Sequence, residues 1–224
     1  MKTQVLALLT LAATLAACHF PEPKVDVTRP LPFDLTYREA KGGLVILTGR
    51  VDDREDVDFI LDTGAPVSVL LDNVRSMYNV GSFFRTMDGA GAAKLYLSGI
   101  TGRPPKSAIS KTALGAEDAI PWEHAWDPIP MVRQLREHGH EIAALETRVG
   151  AVDLYDWVPR FPVCLMFGHE VDGLQPELLD MADTFVRVPM LGRKHSLNVA
   201  TAGGVVLYEL LRKYRETRSA LERT

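Results

Sequence analysis

From Val67 onward, short apolar runs alternate with stretches of helical period, and this alternation constrains the fold more than any other feature of the chain. The apolar runs at 67–72, 94–99, 141–146, 163–168 and 185–190 have strand length. Helical patterns at 79–91, 131–139, 176–182 and about 196–215 separate or follow them. Strands that alternate with helices cannot pair as hairpins, so they predict an α/β domain with a mainly parallel sheet. With 46% hydrophobic and 24% charged residues, such a domain has material for a real core, and disorder or a coiled coil over the whole chain is excluded.

The residues before Val67 follow another logic. Lys2 precedes an apolar run at 5–17 that ends in Leu15-Ala16-Ala17-Cys18, the layout of a signal segment and too short for a membrane span of about 30 Å. Leu-Ala-Ala-Cys resembles a bacterial lipobox, which implies lipid attachment at Cys18 and export as a lipoprotein. A Pro-rich linker leads to two expected short strands, 44–47 and 57–61, joined by the charged turn 52–56. The second strand runs into Asp62-Thr63-Gly64-Ala65, which resembles the active-site loop of retropepsin-like aspartic proteases. In those enzymes two aspartates share a proton, so a single Asp62 requires a dimer. Asp and Gly also favour ordinary turns, and no flap hairpin follows. The expected organisation is a signal-like segment at 1–18, a linker and protease-like fragment at 19–66, the α/β domain at 67–215 and a tail at 216–224.

Two cysteines and six scattered histidines supply neither a disulfide framework nor a zinc site. A net charge of -4 excludes a broadly basic coat, yet permits a local patch that binds phosphate. Residues 79–112 hold Arg85, Lys94, Arg103, Lys106 and Lys111 against Asp88 alone, and Arg193-Lys194 extend the patch if the loops converge. The run Arg212, Lys213, Arg215, Arg218 reads as a solvated helix end that complements the dipole. His138 and His140 flank Gly139 at a helix end and read as structural.

Three motifs make the pattern specific. Asn79-Val80-Gly81 with Phe84-Arg85-Thr86, Gly168-His169-Glu170 with Gly173-Leu174, and Val188-Pro189-Met190-Leu191-Gly192 with Ser196-Leu197-Asn198-Val199 and Ala202 stand in order, each expected at a strand-to-helix junction. With Lys111-Thr112-Ala113-Leu114-Gly115-Ala116-Glu117, this set resembles the SpoU/TrmH branch of the SPOUT RNA methyltransferases over about two-thirds of the chain. The resemblance implies a trefoil-knotted domain, with residues 190–198 threaded through a loop, and a homodimer. It also implies methyl transfer from S-adenosylmethionine to a ribose 2′-hydroxyl of tRNA or rRNA, an activity of the cytoplasm, whereas the leader alone predicts a membrane-anchored, exported protein whose alternative activity is proteolysis at Asp62.

The residue roles follow from that resemblance. Arg85, Asn79, Glu170, Ser196 and Asn198 are the expected catalytic set, with Arg85 clamping a phosphate and Glu170 orienting the loops through backbone groups or Asn79. Leu145, Glu146, Gly168, Val188, Met190, Ser196 and Leu197 are expected to hold the cofactor. Arg85, Arg103, Lys106, Lys111, Arg193 and Lys194 are expected on RNA. Gly168 should let the backbone approach a ligand, and Gly192 should permit a turn that a side chain would obstruct. Ser196 and Asn198 also suit the cap of the last helix. His169 replaces a small polar residue common in the family, and Ala200 a serine. His195, between Lys194 and Ser196, is an exposed-loop histidine within reach of RNA.

Overall fold

The computed structural model describes residues 36–40, 44–51, 54–61 and 65–221, the first three stretches as backbone alone. The lipobox at Cys18 and the Asp62-Thr63-Gly64 loop lie outside the described residues. Two strands, β2 (Leu44–Val51) and β3 (Arg54–Leu61), pair antiparallel where a hairpin is expected. A further strand, β1 (Thr36–Ala40), pairs with β2 and has no counterpart in the sequence reading.

The remaining strands are β4 (Ala65–Asp72), β5 (Ala92–Ser98), β6 (Trp122–Ala125), β7 (Glu141–Leu145), β8 (Val152–Asp153), β9 (Val163–Phe167) and β10 (Thr184–Arg187). They form one seven-stranded sheet in the order β6-β5-β4-β9-β7-β10-β8, and every pairing in it is parallel. Side chains alternate across it with period two. Val69 and Leu71, Leu95 and Leu97, and Leu165 and Phe167 face one helical layer, while Leu70, Tyr96 and Met166 face the other.

The first layer contains α1 (Met77–Ala90), α2 (Ser107–Ala113), α3 (Ala116–Ala119) and α6 (Val199–Leu221); the second contains α4 (Ile129–Glu137) and α5 (Pro176–Asp180). The face of α1 toward the sheet carries Val80, Phe83, Phe84 and Met87 at helical spacing, all buried, each contributing about 1.5–3 kcal/mol relative to exposure. Ser76 starts this helix by accepting the Asn79 N–H at 3.3 Å, and Gly91 ends it at φ 65. Gly81 is required by packing: a Cβ there would lie 2.1 Å from Thr112 Oγ1 and 2.3 Å from the Ile109 carbonyl, so α1 and α2 touch through backbone.

Several expectations change in detail. Motif 1 sits inside α1 rather than at its junction with β4. The last helix starts at Val199, not Ser196, and runs to Leu221, past the expected boundary at residue 215. Within it Lys213 is not a solvated end, because its ammonium donates to the carbonyls of Leu154 at 2.9 Å, Tyr155 at 3.1 Å and Trp157. Arg212 is held between Glu209 and Glu216. His138 and His140 do close α4, each with Nδ1 within hydrogen-bond distance of a carbonyl of that helix, Gln134 and Leu135.

Candidate active site

In a parallel α/β sheet ligands bind outside the carboxyl ends of the strands. Here the loops that follow β7, β9 and β10 enclose, with the start of α6, a cavity of about 500 Å³. All seven expected cofactor residues line it: Leu145 at the end of β7 and Glu146 just after it, Gly168 just after β9, Val188 and Met190 after β10, and Ser196 and Leu197 before α6. Glu170, His195 and Asn198 also face it.

A chain of side-chain hydrogen bonds ties the three motifs together. Glu170 Oε2 accepts the Arg75 N–H at 3.1 Å, and its Oε1 accepts the Ser76 N–H at 3.2 Å and Asn79 Nδ2 at 3.1 Å. Asn79 Oδ1 accepts Asn198 Nδ2 at 3.2 Å. Asn198 Oδ1 in turn caps α6 by accepting the Ala200 and Thr201 N–H groups at 3.0 and 3.3 Å. The cap is therefore Asn198 alone, and Ser196 is left exposed on the cavity wall. Burial works against the charge of Glu170. Its own backbone N–H, those of Arg75 and Ser76 and the Asn79 amide together outweigh that cost and hold the carboxyl below its ordinary pKa.

The two motif glycines differ in what their surroundings require. Where Gly168 passes, a Cβ would lie 2.2 Å from the Gly173 carbonyl carbon and 2.3 Å from the Leu174 nitrogen, so its bareness admits the loop's own backbone. At Gly192 a Cβ would meet nothing within 4 Å, so no obstruction requires glycine there. The Gly173 turn is held from below by Glu146, whose Oε1 accepts the Leu174 N–H at 3.0 Å. His169 turns inward on its own loop, with Nδ1 accepting the Val171 and Asp172 N–H groups at 3.2 and 3.1 Å.

The basic residues divide. Arg85 is exposed on α1, forms no ion pair among the described residues and does not line the cavity of its own chain. Lys106, Lys111, Arg193 and Lys194 are exposed. Lys94 leaves the patch, because Glu123 holds it at 2.7 Å. His195 is an exposed loop histidine, as expected, and lines the cavity. The sequence reading missed Asp72. It is buried at the end of β4, where its Oδ1 accepts Ser98 Oγ at 2.7 Å and Gln175 Nε2 at 3.3 Å, linking the β4, β5 and β9 loops. The one signal for it was a carboxylate closing an apolar strand run.

The fold and cavity define an α/β protein with a cavity of small-molecule size at the carboxyl ends of its strands. The chain belongs to the SpoU rRNA Methylase family, whose model matches residues 66–208 and so begins after Asp62, giving the protease alternative no support. It is 30% identical over 163 residues to the 23S rRNA (guanosine-2'-O-)-methyltransferase RlmB of Vibrio parahaemolyticus, covering 72% of this chain and 65% of that one. It is 30% identical over 148 residues to the tRNA (guanosine(18)-2'-O)-methyltransferase of Aquifex aeolicus, covering 66% and 70%. The structure of an AdoMet-bound rRNA methyltransferase from Sinorhizobium meliloti superposes with a TM-score of 0.61 at 31% identity, covering 73% of this chain and 66% of that one. The chain spans 60–65% of the length of several curated relatives that it matches.

Proposed function

We propose that this protein is an RNA methyltransferase that moves a methyl group from S-adenosylmethionine to a ribose 2′-hydroxyl of tRNA or rRNA. The observation that carries this reading is the Glu170–Asn79–Asn198 chain, which closes three loops on one cavity. The family membership and the names of the relatives support it.

The residues present fit the cofactor. The cavity volume lies within the range of about 300–1,000 Å³ usual for small-molecule sites. Its wall joins the apolar Val188, Met190 and Leu197 to the backbone of Gly168, with Leu145 and Glu146 completing the wall at β7. S-adenosylmethionine supplies a methyl group made electrophilic by the sulfonium. Arg85, free of carboxylates among the described residues, clamps the phosphate beside the target ribose, orients the hydroxyl and stabilises its developing negative charge. Glu170 already accepts three hydrogen bonds, so it positions the loops through Asn79 and does not remove the proton. Ser196 presents its hydroxyl to the bound substrates from the wall.

Because Arg85 stands off its own cavity, the reading includes a homodimer in which Arg85 of one subunit serves the cavity of the other. It also includes the threaded segment 190–198, the RNA contacts of Arg103, Lys106, Lys111, Arg193 and Lys194, and a cytoplasmic site of action. No helix among the described residues is long and apolar enough to cross a membrane.

Calorimetric binding of S-adenosylmethionine and single-turnover methylation of bulk tRNA and rRNA test the reading. Arg85→Ala should lower turnover about 10²-fold with cofactor affinity nearly intact, as for loss of one charge-stabilising group. Leu197→Asp should weaken cofactor binding before any effect on RNA. Normal binding and methylation by both variants would overturn the assignment.

A further inference from the structure

At the edge of the sheet away from the cavity, the loop after β5 and the end of β6 expose an unusual set of side chains. Trp126 is 73% exposed and Ile100 62%, whereas the other large apolar side chains of β5 and β6, Leu95, Tyr96, Leu97 and Trp122, are buried or packed on the core. The Trp126 ring is not loose. It meets His124 edge to face, with centroids 5.3 Å apart and planes at 89°. His124 Nδ1 lies 2.7 Å from Arg103 NH1 and its Nε2 lies 3.1 Å from the Gly99 carbonyl. A guanidinium has only donors, so Nδ1 accepts and Nε2–H donates, which fixes the plane of the imidazole on which the indole packs. The platform is thus an exposed indole packed on a held imidazole, with a guanidinium at the edge.

The loop that carries Ile100 supplies the cations, while the exposed Asp127 follows Trp126 and accepts the Ile129 N–H at 2.9 Å. Arg103 and Lys106 are exposed in the loop that carries Ile100, and neither pairs with a carboxylate among the described residues. The loop is also tied to the catalytic turn. Asn73 Oδ1 accepts the Ile100 N–H at 3.2 Å, Thr101 Oγ1 accepts the Val74 N–H at 3.0 Å, and Glu170 holds the next two residues, Arg75 and Ser76. Three strand spacings, about 15 Å, separate β6 from β9, so the platform meets a nucleotide that flanks the target and not the target itself.

We propose that the Trp126 face, with Ile100 beside it, is a stacking platform for one unpaired base of the substrate RNA, while Arg103 and Lys106 hold the adjoining phosphates. An exposed aromatic face beside basic side chains is an arrangement that binds single-stranded nucleic acid without reading its sequence. The inference rests on the RNA reading of the site and specifies where a flanking nucleotide lies.

The test compares the full chain with Trp126→Ala, Trp126→Phe and Arg103→Ala. The measurements are binding of bulk tRNA and of a short labelled polyadenylate strand, cofactor calorimetry and sedimentation. Trp126→Ala should weaken RNA binding by between about 5- and 150-fold, Trp126→Phe should recover most of it, and cofactor affinity should not change. Arg103→Ala should flatten the salt dependence of binding. Unchanged RNA affinity in Trp126→Ala overturns the platform, and so does a change in oligomeric mass without a change in RNA affinity, which would mark the face as a protein interface. If the unaltered chain binds cofactor but no RNA, the proposed function falls and the platform with it; if it binds RNA and only the tryptophan variants are silent, the platform alone falls.

Discussion

Asn198 and Asn79, 119 positions apart in sequence, meet through a single amide-to-amide hydrogen bond of 3.2 Å. Each has its other amide atom engaged, Asn79 on Glu170 and Asn198 on the first turn of α6. The bond therefore fixes the orientation of both amides and couples the start of α1 to the start of α6.

Removing either amide should loosen this coupling, with different costs. Asn198→Ala should destabilise the protein by about 1 kcal/mol through the lost cap and should weaken cofactor binding as well. Asn198→Asp should retain the cap yet lose the donor to Asn79, so thermal stability should recover more than cofactor affinity does. Parallel thermal melts and calorimetry check this; equal recovery of both would show that only the cap matters.

The Glu170 carboxylate sets a pH dependence. Its pKa is held below the ordinary value in the folded protein, so its stabilising contribution is present above the unfolded value of about 4.3 and is lost as pH falls through the folded value. Melting temperature followed from neutral pH into the acid range should drop more steeply in the native protein than in Glu170→Gln, and the two curves should converge at the acid end. Parallel curves would mean that the carboxylate contributes nothing to folding.

Burial pushes the Cys164 thiol up to about 12, and the side chain is fully buried in β9. A Cys18→Ser chain should accordingly resist alkylation at neutral pH and react once denaturant unfolds the sheet. Timing of that reaction against the loss of circular dichroism checks the point, and modification without unfolding would contradict it.

The parallel sheet and every helix that packs on it lie between Ala65 and Leu221. A chain that starts at Ala65 should fold cooperatively and dimerise, as read by denaturant titration and sedimentation. Failure to fold would make the preceding residues part of the domain.

The sheet was legible because its strands are buried on both faces and therefore appear as unbroken apolar runs, as at Val69, Leu70 and Leu71. The cavity residues were legible through motif order. Other features depend on pairs that sequence distance conceals. Nothing near Lys213 announces that three carbonyls more than fifty residues earlier await its ammonium. Likewise, the loss of Lys94 from the basic patch needed the β5–β6 register that sets Tyr96 beside Glu123. Short edge strands such as β8 carry too few residues for any periodicity to show.

The helix α6 is a strut pinned at two points. Asn198 secures one end at the cavity, and Lys213 secures it to the segment after β8, about 22 Å along the axis at 1.5 Å per residue. A helix held in this way cannot advance or retreat by a turn without abandoning one of its pins. The depth of the cavity wall at Leu197 and Ala202 is thus set in part by the anchor at Leu154, Tyr155 and Trp157. A neutral side chain at position 213 would act as a cavity mutation from a distance, felt as a change in the grip on the cofactor.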